Sequence, residues 1–392
     1  MVNKKNIQKD LPKYIYYLGI ILITFIRLTQ DSTLFNWNDT FITIIKLIAA
    51  GCFGIKLIMQ KYTKKELIIS GFLIAFGILT VVITKIQMVL LTTILLIGLK
   101  DIDVKRIIKI IFYESISITL IHIITYAYNW IFYKETIPLL LTKDLEKRHY
   151  VFFPHPNIFA SIILGITMEW IYLYGIQMKK LYKYLVILTT AITTYTITLS
   201  RTTLLLFVLL FIGLIVVDLN KKIINLIMQK VAKYTFVLIS LITVCFLYFY
   251  NSDSQKEYVK KADELLSGRI TLGLIARDTY GVGIFPRFVD FDQKLDFRYG
   301  KELVIDNFYM RYSISYGYIS LVFLSMLVWN ASGKCNLLEQ LYLIVFATWG
   351  ITEGVIFDIG ICIVLLIIVD KILNSKKDVK LIQQEEEQML ND

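Results

Sequence analysis

The sequence predicts an all-α, polytopic membrane protein of about twelve transmembrane helices with one large extracellular loop. Three observations predict it. Apolar runs of bilayer-crossing length recur along the chain. Of the 392 residues 56% are hydrophobic, and the mean hydropathy is +0.63. Lysines crowd into alternate short loops. The chain reads as a single integral membrane domain over residues 1–392.

A helix needs about 20 residues to cross roughly 30 Å of hydrocarbon. On that rule spans fall near 14–29, 41–60, 67–84, 87–100, 107–130, 157–177, 184–199, 202–218, 234–250, 306–329, 337–352 and 354–373. The first run lacks a following Ala-x-Ala, so it is expected to stay as an anchor. Orientation follows from the loops. Lys4, Lys5, Lys9 and Lys13 precede the first span, and Lys61, Lys64 and Lys65 follow the second. Lys100, Lys105 and Arg106 follow the fourth, Lys179, Lys180 and Lys183 the sixth, and Lys221 and Lys222 the eighth. Loop 30–40 has no lysine and 84–87 has only Lys85. The expected home is therefore the cytoplasmic (plasma) membrane with both termini cytoplasmic, including a 374–392 tail that ends in Glu385-Glu386-Glu387.

The stretch 184–218 is 35 residues. As one helix it would reach roughly 52 Å, far beyond the bilayer core. It must turn, and its polar place to do so is Thr198-Leu199-Ser200-Arg201-Thr202-Thr203. Arg201 then starts an inward helix at the outer surface, with Ser200 as the expected N-cap.

Two long loops, 131–156 and 251–305, are expected outside. The first runs into Pro154-His155-Pro156-Asn157, a stiff entry in which Asn157 can cap the next helix. The second opens with an amphipathic helix over about 254–279, expected on the membrane surface.

The formal charge of +11 sits mostly in short loops, and no compact basic face or stacking module is visible. Nucleic acid is therefore not an expected partner. Cys52, Cys245 and Cys362 fall in apolar spans and Cys335 in a short cytoplasmic loop, with spacings that suit neither zinc nor an external disulfide. No metal cluster emerges.

Arg201 sits in a tight hairpin between hydroxyl residues with no acidic neighbour, which suits a phosphate; the plainer alternative is snorkelling to headgroups. Arg269 follows Ser267-Gly268, and Arg287 follows Gly281-Val282-Gly283, a turn without the strand–helix unit of a nucleotide site. His155 can be a general base or a helix cap. His122 lies within a span and reads as a packed core residue. Asp306 and Asn307 begin the tenth span, Arg311 shares the helix face of Asn307, and Glu353 in the last outer turn can pair with any of these arginines.

Together these residues resemble the bacterial polysaccharide polymerases of the Wzy type, related to O-antigen ligases. Arg148 through Asn157 resembles their R-x-x-x-G-F-x-H-P-N segment, and Leu199-Ser200-Arg201-Thr202 their L-S-R-T hairpin. Leu266-Ser267-Gly268-Arg269 with Gly281-Val282-Gly283 resembles their S-G-R … G-x-G loop. Asp306-Asn307-Phe308-Tyr309 with Gly317-Tyr318-Ile319 resembles their D/H-N-x-Y … G-x-I/L-G segment. The similarity spans roughly 145–325. Phe152 stands where the family has glycine, Leu272 and Leu274 where an aromatic residue is common, and Asp306 where the ligase branch has histidine.

The resemblance implies a GT-C-like fold and a glycosyltransferase that joins undecaprenyl-diphosphate-linked oligosaccharide repeat units at the outer face. It implies no metal and no nucleotide sugar, and as partners membrane lipids, a flippase and a chain-length regulator. Arg201 and Arg269 are the expected diphosphate ligands, with Asp306, His155 and Glu353 as competing bases. Arg148, Asn157, Ser200, Arg287, Asn307, Tyr309 and Arg311 are the expected substrate-binding residues. The rival expectations are an O-antigen-ligase-like transferase and, outside enzymes, a flippase or transporter of the same lipid-linked sugar.

Overall fold

The computed structural model describes residues 4–132, 139–141, 147–250, 257–266, 268–290 and 305–374. Ser267, much of the 251–305 loop and the tail beyond 374 with its Glu385-Glu386-Glu387 run lie outside the described residues. The helices are α1 (Lys4–Thr29), α2 (Asp39–Met59), α3 (Lys64–Thr84), α4 (Met88–Gly98) and α5 (Val104–Phe132). A two-stranded antiparallel pair follows, β1 (Leu139–Leu141) with β2 (Lys147–His149), Leu140 facing Arg148. Then come α6 (Pro156–Tyr174), α7 (Lys180–Thr198), α8 (Arg201–Leu219), α9 (Lys222–Phe249), α10 (Glu257–Leu265) and α11 (Arg269–Tyr280). The last are α12 (Phe308–Ser315), α13 (Tyr318–Ser332), α14 (Leu337–Trp349), a 3-10 turn at Gly354–Phe357 and α15 (Val364–Leu373).

Among the described residues seven helices are long and apolar enough to cross a membrane: α1 from Asp10, α2, α3, α5, α6, α8 and α9. The protein is a helical, multi-pass membrane protein. These seven coincide with seven of the twelve expected spans. Of the other five, α4 has 11 residues and α14 has 13, and α7 is long enough but too rich in threonine. The expected span 306–329 is two helices, because Gly317 at φ +76° turns the chain between α12 and α13. A Cβ there would also run into the Ile284 carbonyl.

The expected helix 354–373 is broken at Asp358. Its carbonyl accepts from Ile361 N and Cys362 N, its carboxylate accepts from Gly360 N at 3.1 Å, and Arg27 Nε donates to Oδ2 at 2.6 Å. A carboxylate that accepts from a backbone N–H two residues on, and from a distant arginine, competes with the helical ladder. The 254–279 helix is likewise two helices, parted at Gly268 with φ +84°.

Sequence signals at the helix ends match these boundaries. Asn38 caps α2, Thr63 and Glu66 form a capping box on α3, and Asn336 with Glu339 form another on α14.

The described residues pack as two compact units. One gathers residues up to Lys61, Ile94–Asp218 and Asp358–Ile367; the other gathers Tyr62–Thr93, Leu219–Phe357 and the residues from Ile368 on. In lipid, apolar surface alone does not drive helices together, so close packing and polar ties do. In the first unit α1 packs on α2 and α5, α5 on α6, and α6 on α7. Gly19 leaves room for the Phe53 ring, and Tyr16 donates to the Leu95 carbonyl at 2.7 Å. Gly165 of α6 meets the Ile361 carbonyl with no space for a Cβ. His122 is fully buried: Nε2 meets Ser32 Oγ at 2.7 Å, Nδ1 meets Ile118 O at 2.8 Å, and the ring stacks on Phe153.

In the second unit α9 packs on α12, α13 and α14 around Phe236, which touches the Phe346 and Tyr309 rings. Lys233 sits 4.0 Å from the centre of the Trp329 ring, a cation–π contact. Leu47, Ile58, Ile68, Leu205 and Ile242 are exposed on span surfaces, as lipid contact requires.

Candidate functional site

The motif residues gather into two constellations, one in each unit. In the second unit the frame is a buried apolar cluster of Leu247, Ala276, Val289, Ile305, Met310 and Ile314. Gly273 of α11 lies against Met310 of α12, so α11 buries its apolar face on protein rather than lying on lipid as the sequence suggested. Asp263 of α10 holds the start of α11, accepting from Ile270 N at 2.8 Å and Thr271 N at 3.0 Å. The first residue of that helix is Arg269.

From there the Arg269 side chain reaches the turn after α14. Nε donates to the Thr352 carbonyl at 2.7 Å, Nη1 to the Leu266 carbonyl at 3.2 Å and Nη2 to Glu353 Oε1 at 3.1 Å. Asp306 Oδ2 lies 3.6 Å from the same Nη2. Arg269 and Glu353 are buried, their side chains 6% and 7% exposed, whereas the Asp306 side chain is 40% exposed. One guanidinium thus bridges a closed carboxylate and an open one. Buried ion pairs of this kind hold geometry because removing one partner strands the other.

Asn307 caps α12, accepting from Met310 N at 3.0 Å. Phe308 N donates to the Gly350 carbonyl at 2.8 Å, docking α12 on the end of α14. Arg311 joins this group, since a Cβ on Gly354 would stand 3.5 Å from its Nη1 and 3.6 Å from the Asp306 carbonyl. Tyr309 is fully buried and its hydroxyl donates to the Ala347 carbonyl at 2.8 Å. Arg287 folds back over Gly281 and Gly283, Nη1 donating to the Tyr280 carbonyl at 2.5 Å; a Cβ on either glycine would collide with it. Tyr318 N and Ile319 N donate to the Gly283 and Ile284 carbonyls, so the glycine turn and the Gly317-Tyr318-Ile319 motif form one joint.

In the first unit Arg148 of β2 ties two motifs together. Nη2 donates to Asn157 Oδ1 at 2.8 Å and Nε to the Thr198 carbonyl at 2.7 Å. His155, not the expected Asn157, is the N-cap of α6, its Nδ1 accepting from Asn157 N at 3.1 Å, because the Asn157 side chain is taken by Arg148. The turn between α7 and α8 falls at Leu199-Ser200, with Leu199 at φ +50°. Ser200 is buried, its carbonyl accepts from Leu204 N at 3.1 Å, and its hydroxyl meets Thr203 Oγ1 at 3.0 Å. Arg201 opens α8, exposed, with no hydrogen bond or ion pair among the described residues. Its charge is available to a ligand; that of Arg269 is shared with two carboxylates.

Sequence reasoning passed over two features of the first unit. Glu169 of α6 is fully buried in a membrane-length helix and neither carboxylate oxygen has a partner among the described residues. The half-buried Arg27 forms an ion pair with the buried Asp358. A lone carboxylate in an apolar run, as in Thr167-Met168-Glu169-Trp170, was the available signal for the first. The second had no comparable signal, because its residues are 331 positions apart. No group of three or more His, Cys, Asp or Glu that could hold a metal is found among the described residues.

Compared with known proteins, the chain matches no family profile, no curated protein and no solved structure.

Proposed function

We propose that this protein is a membrane glycosyltransferase that polymerises lipid-diphosphate-linked oligosaccharide repeat units at the outer face of the cytoplasmic membrane. The observation that carries the reading is the Arg269–Glu353–Asp306 grouping, a buried guanidinium beside one closed and one open carboxylate. In the proposed reaction an acceptor hydroxyl gives its proton to Asp306, and its oxygen bonds to the anomeric carbon of the donor sugar. The bond from that carbon to the diphosphate breaks, and the diphosphate leaves with the electron pair. Its growing negative charge is met by Arg269. Glu353 holds Arg269 in place; His155, with Nδ1 engaged in capping α6, is the weaker base candidate.

About twelve crossings, both termini in the cytoplasm, and loops 131–156 and 251–305 outside belong to the same reading, supported by the lysine asymmetry. A ligase that moves finished glycan to another acceptor would use the same groups, and Asp306 in place of the ligase histidine speaks for the polymerase. A transporter of the lipid-linked sugar is the second reading, favoured by the buried Glu169 in α6.

One experiment separates them. In a strain lacking the protein, single repeat units on their carrier should accumulate accessible at the outer face. Units trapped on the cytoplasmic side would sink the polymerase and favour transport.

A further inference from the structure

Glu169 is the one acidic residue of the bilayer-length helix α6. It is fully buried, and neither carboxylate oxygen has a hydrogen-bond partner among the described residues. Tyr174 ends the helix five residues on, which places Glu169 about 8 Å inside that end. On the orientation read from the lysines, this end faces the cytoplasm.

The surroundings of Glu169 are those of a site. Ser161, Gly165 and Glu169 recur every fourth residue and share one face of α6. Against this face lies the buried, non-helical stretch 358–363, since a Cβ on Gly165 would collide with the Ile361 carbonyl. Helix side chains lean toward the N-terminus, so the Glu169 carboxyl reaches back over the Gly165 turn toward that carbonyl. The Ile361 carbonyl accepts no backbone hydrogen bond among the described residues. Cys362, next in the chain, is close enough to interact electrostatically with Glu169.

Two hydroxyls belong to the same place. Thr24 of α1 flanks the stretch, its Cγ2 3.5 Å from where a Cβ on Gly360 would stand. Thr24 Oγ1 and Ser161 Oγ are both buried without partners among the described residues. Hydroxyls in a helix usually return to a carbonyl one turn back, as Thr167 does to Ile163 at 2.7 Å. Unwound backbone at bilayer depth beside a carboxylate is an arrangement in which membrane proteins hold small cations.

The positive charges on the elements around it are held elsewhere. Lys183 of α7 pairs with Asp218 at 2.7 Å, and Arg27 of α1 pairs with Asp358. On α5, Lys105, Arg106 and Lys109 are exposed, and His122 is fixed between Ser32 Oγ and the Ile118 carbonyl. Glu114 of α5 and Cys362 bring no positive charge. A carboxylate with neither cation nor donor is not kept charged in apolar surroundings. A proton neutralises it and turns one oxygen into a donor. That donor needs a single acceptor, which the Ile361 carbonyl supplies, whereas a sodium ion needs a shell of oxygens.

We propose that α6 and the 358–363 stretch form an intramembrane proton-binding site, in which Glu169 holds the proton and donates a hydrogen bond to the Ile361 carbonyl. The hydroxyls of Ser161 and Thr24 are the polar neighbours through which the proton exchanges. With the proton bound, α6 closes on the stretch; its release leaves a buried charge that must draw in water or part the two. The site is independent of the proposed polymerase chemistry, whose reacting groups Arg269 and Asp306 lie in the second unit.

The test is infrared difference spectroscopy of the full-length protein in nanodiscs against Glu169→Gln, which keeps the shape and a donor. At neutral pH the wild type should show the carbonyl stretch of a hydrogen-bonded, protonated carboxyl. Glu169→Gln should lose this band, and Glu114→Gln should keep it. The band should give way to carboxylate bands at alkaline pH. Sodium chloride is titrated against choline chloride at fixed pH as a second arm. Loss of the band with sodium alone would assign the site to a sodium ion and overturn the proton. No band that depends on Glu169, a band at the position of a carboxyl free of hydrogen bonds, or one that persists at every pH the protein survives also overturns the proposal.

Discussion

Glu353 Oε1 lies 3.1 Å from Arg269 Nη2, and both side chains are almost completely buried. The pair joins the first residue of α11 to the turn after α14, across 84 positions of sequence. A buried arginine is stable only while its partner stays charged and close. Glu353→Ala should therefore lower the unfolding free energy by about 3 kcal/mol, with Asp306 left as a looser substitute. Glu353→Gln should cost less, because its amide oxygen still accepts from Arg269. Thermal unfolding of the purified protein reads both; a Glu353→Ala protein as stable as wild type would remove the pair from the framework of the site.

Arg269→Lys tests the fork rather than the charge. Lysine has one nitrogen where Arg269 uses three, on Thr352, Leu266 and Glu353. The variant should still accumulate in the membrane and make little or no polymer on a ladder gel. A normal ladder would leave Arg269 as a structural tie.

Arg201 should behave in the opposite way on stability. It is exposed and makes no hydrogen bond or ion pair among the described residues, so Arg201→Ala should change unfolding by less than about 0.5 kcal/mol. Polymer should nevertheless be lost, and Arg201→Lys should not restore it. Full polymer in Arg201→Ala would reduce this arginine to headgroup snorkelling.

Arg148 and Asn157 offer a double-mutant cycle. Their hydrogen bond at 2.8 Å should give a coupling energy of about 1 kcal/mol. Arg148→Ala should cost more than Asn157→Ala, since it also frees the Thr198 carbonyl before the α7–α8 turn. Additive effects would show that the two motifs touch without supporting each other.

Gly165→Ala should be among the costliest single-atom changes in the protein. Its Cβ would meet the backbone carbonyl of Ile361, which cannot rotate away as a side chain can. A loss of about 1–3 kcal/mol is expected, read as a lower unfolding temperature. A substitution tolerated without a shift would mean that the Asp358–Cys362 bend packs less closely on α6.

Orientation can be tested at exposed positions. In a background without native cysteines, Glu264→Cys should react with an impermeant maleimide in intact cells, and Lys64→Cys only after lysis. The reverse pattern would put α10, and with it the arginine site, on the wrong side for polymerisation.

Local physics was legible in the sequence. Hydropathy marks the seven long spans, the polar run at Thr198–Thr203 marks the turn between α7 and α8, and His155-Pro156-Asn157 marks the start of α6. Each depends on a few neighbouring residues: a bilayer's thickness, a proline without an N–H, a side chain that caps a helix. The motif arginines were visible as residue types for the same reason.

What they touch was decided only by the tertiary structure. Arg269 and Arg148 each donate to a backbone carbonyl, of Thr352 and Thr198, and a carbonyl has no letter in the sequence. Asp358 breaks its helix while paired with Arg27, and an apolar run around it reads as a continuous span until that partner is known. Arg201 and Arg269 look alike in their motifs, yet one is open and the other shares its charge with Glu353 and Asp306. Arg269 is paired because α11 docks on α12, which sets how far its guanidinium stands from Glu353 and Asp306, and that distance sets how far its charge is shared.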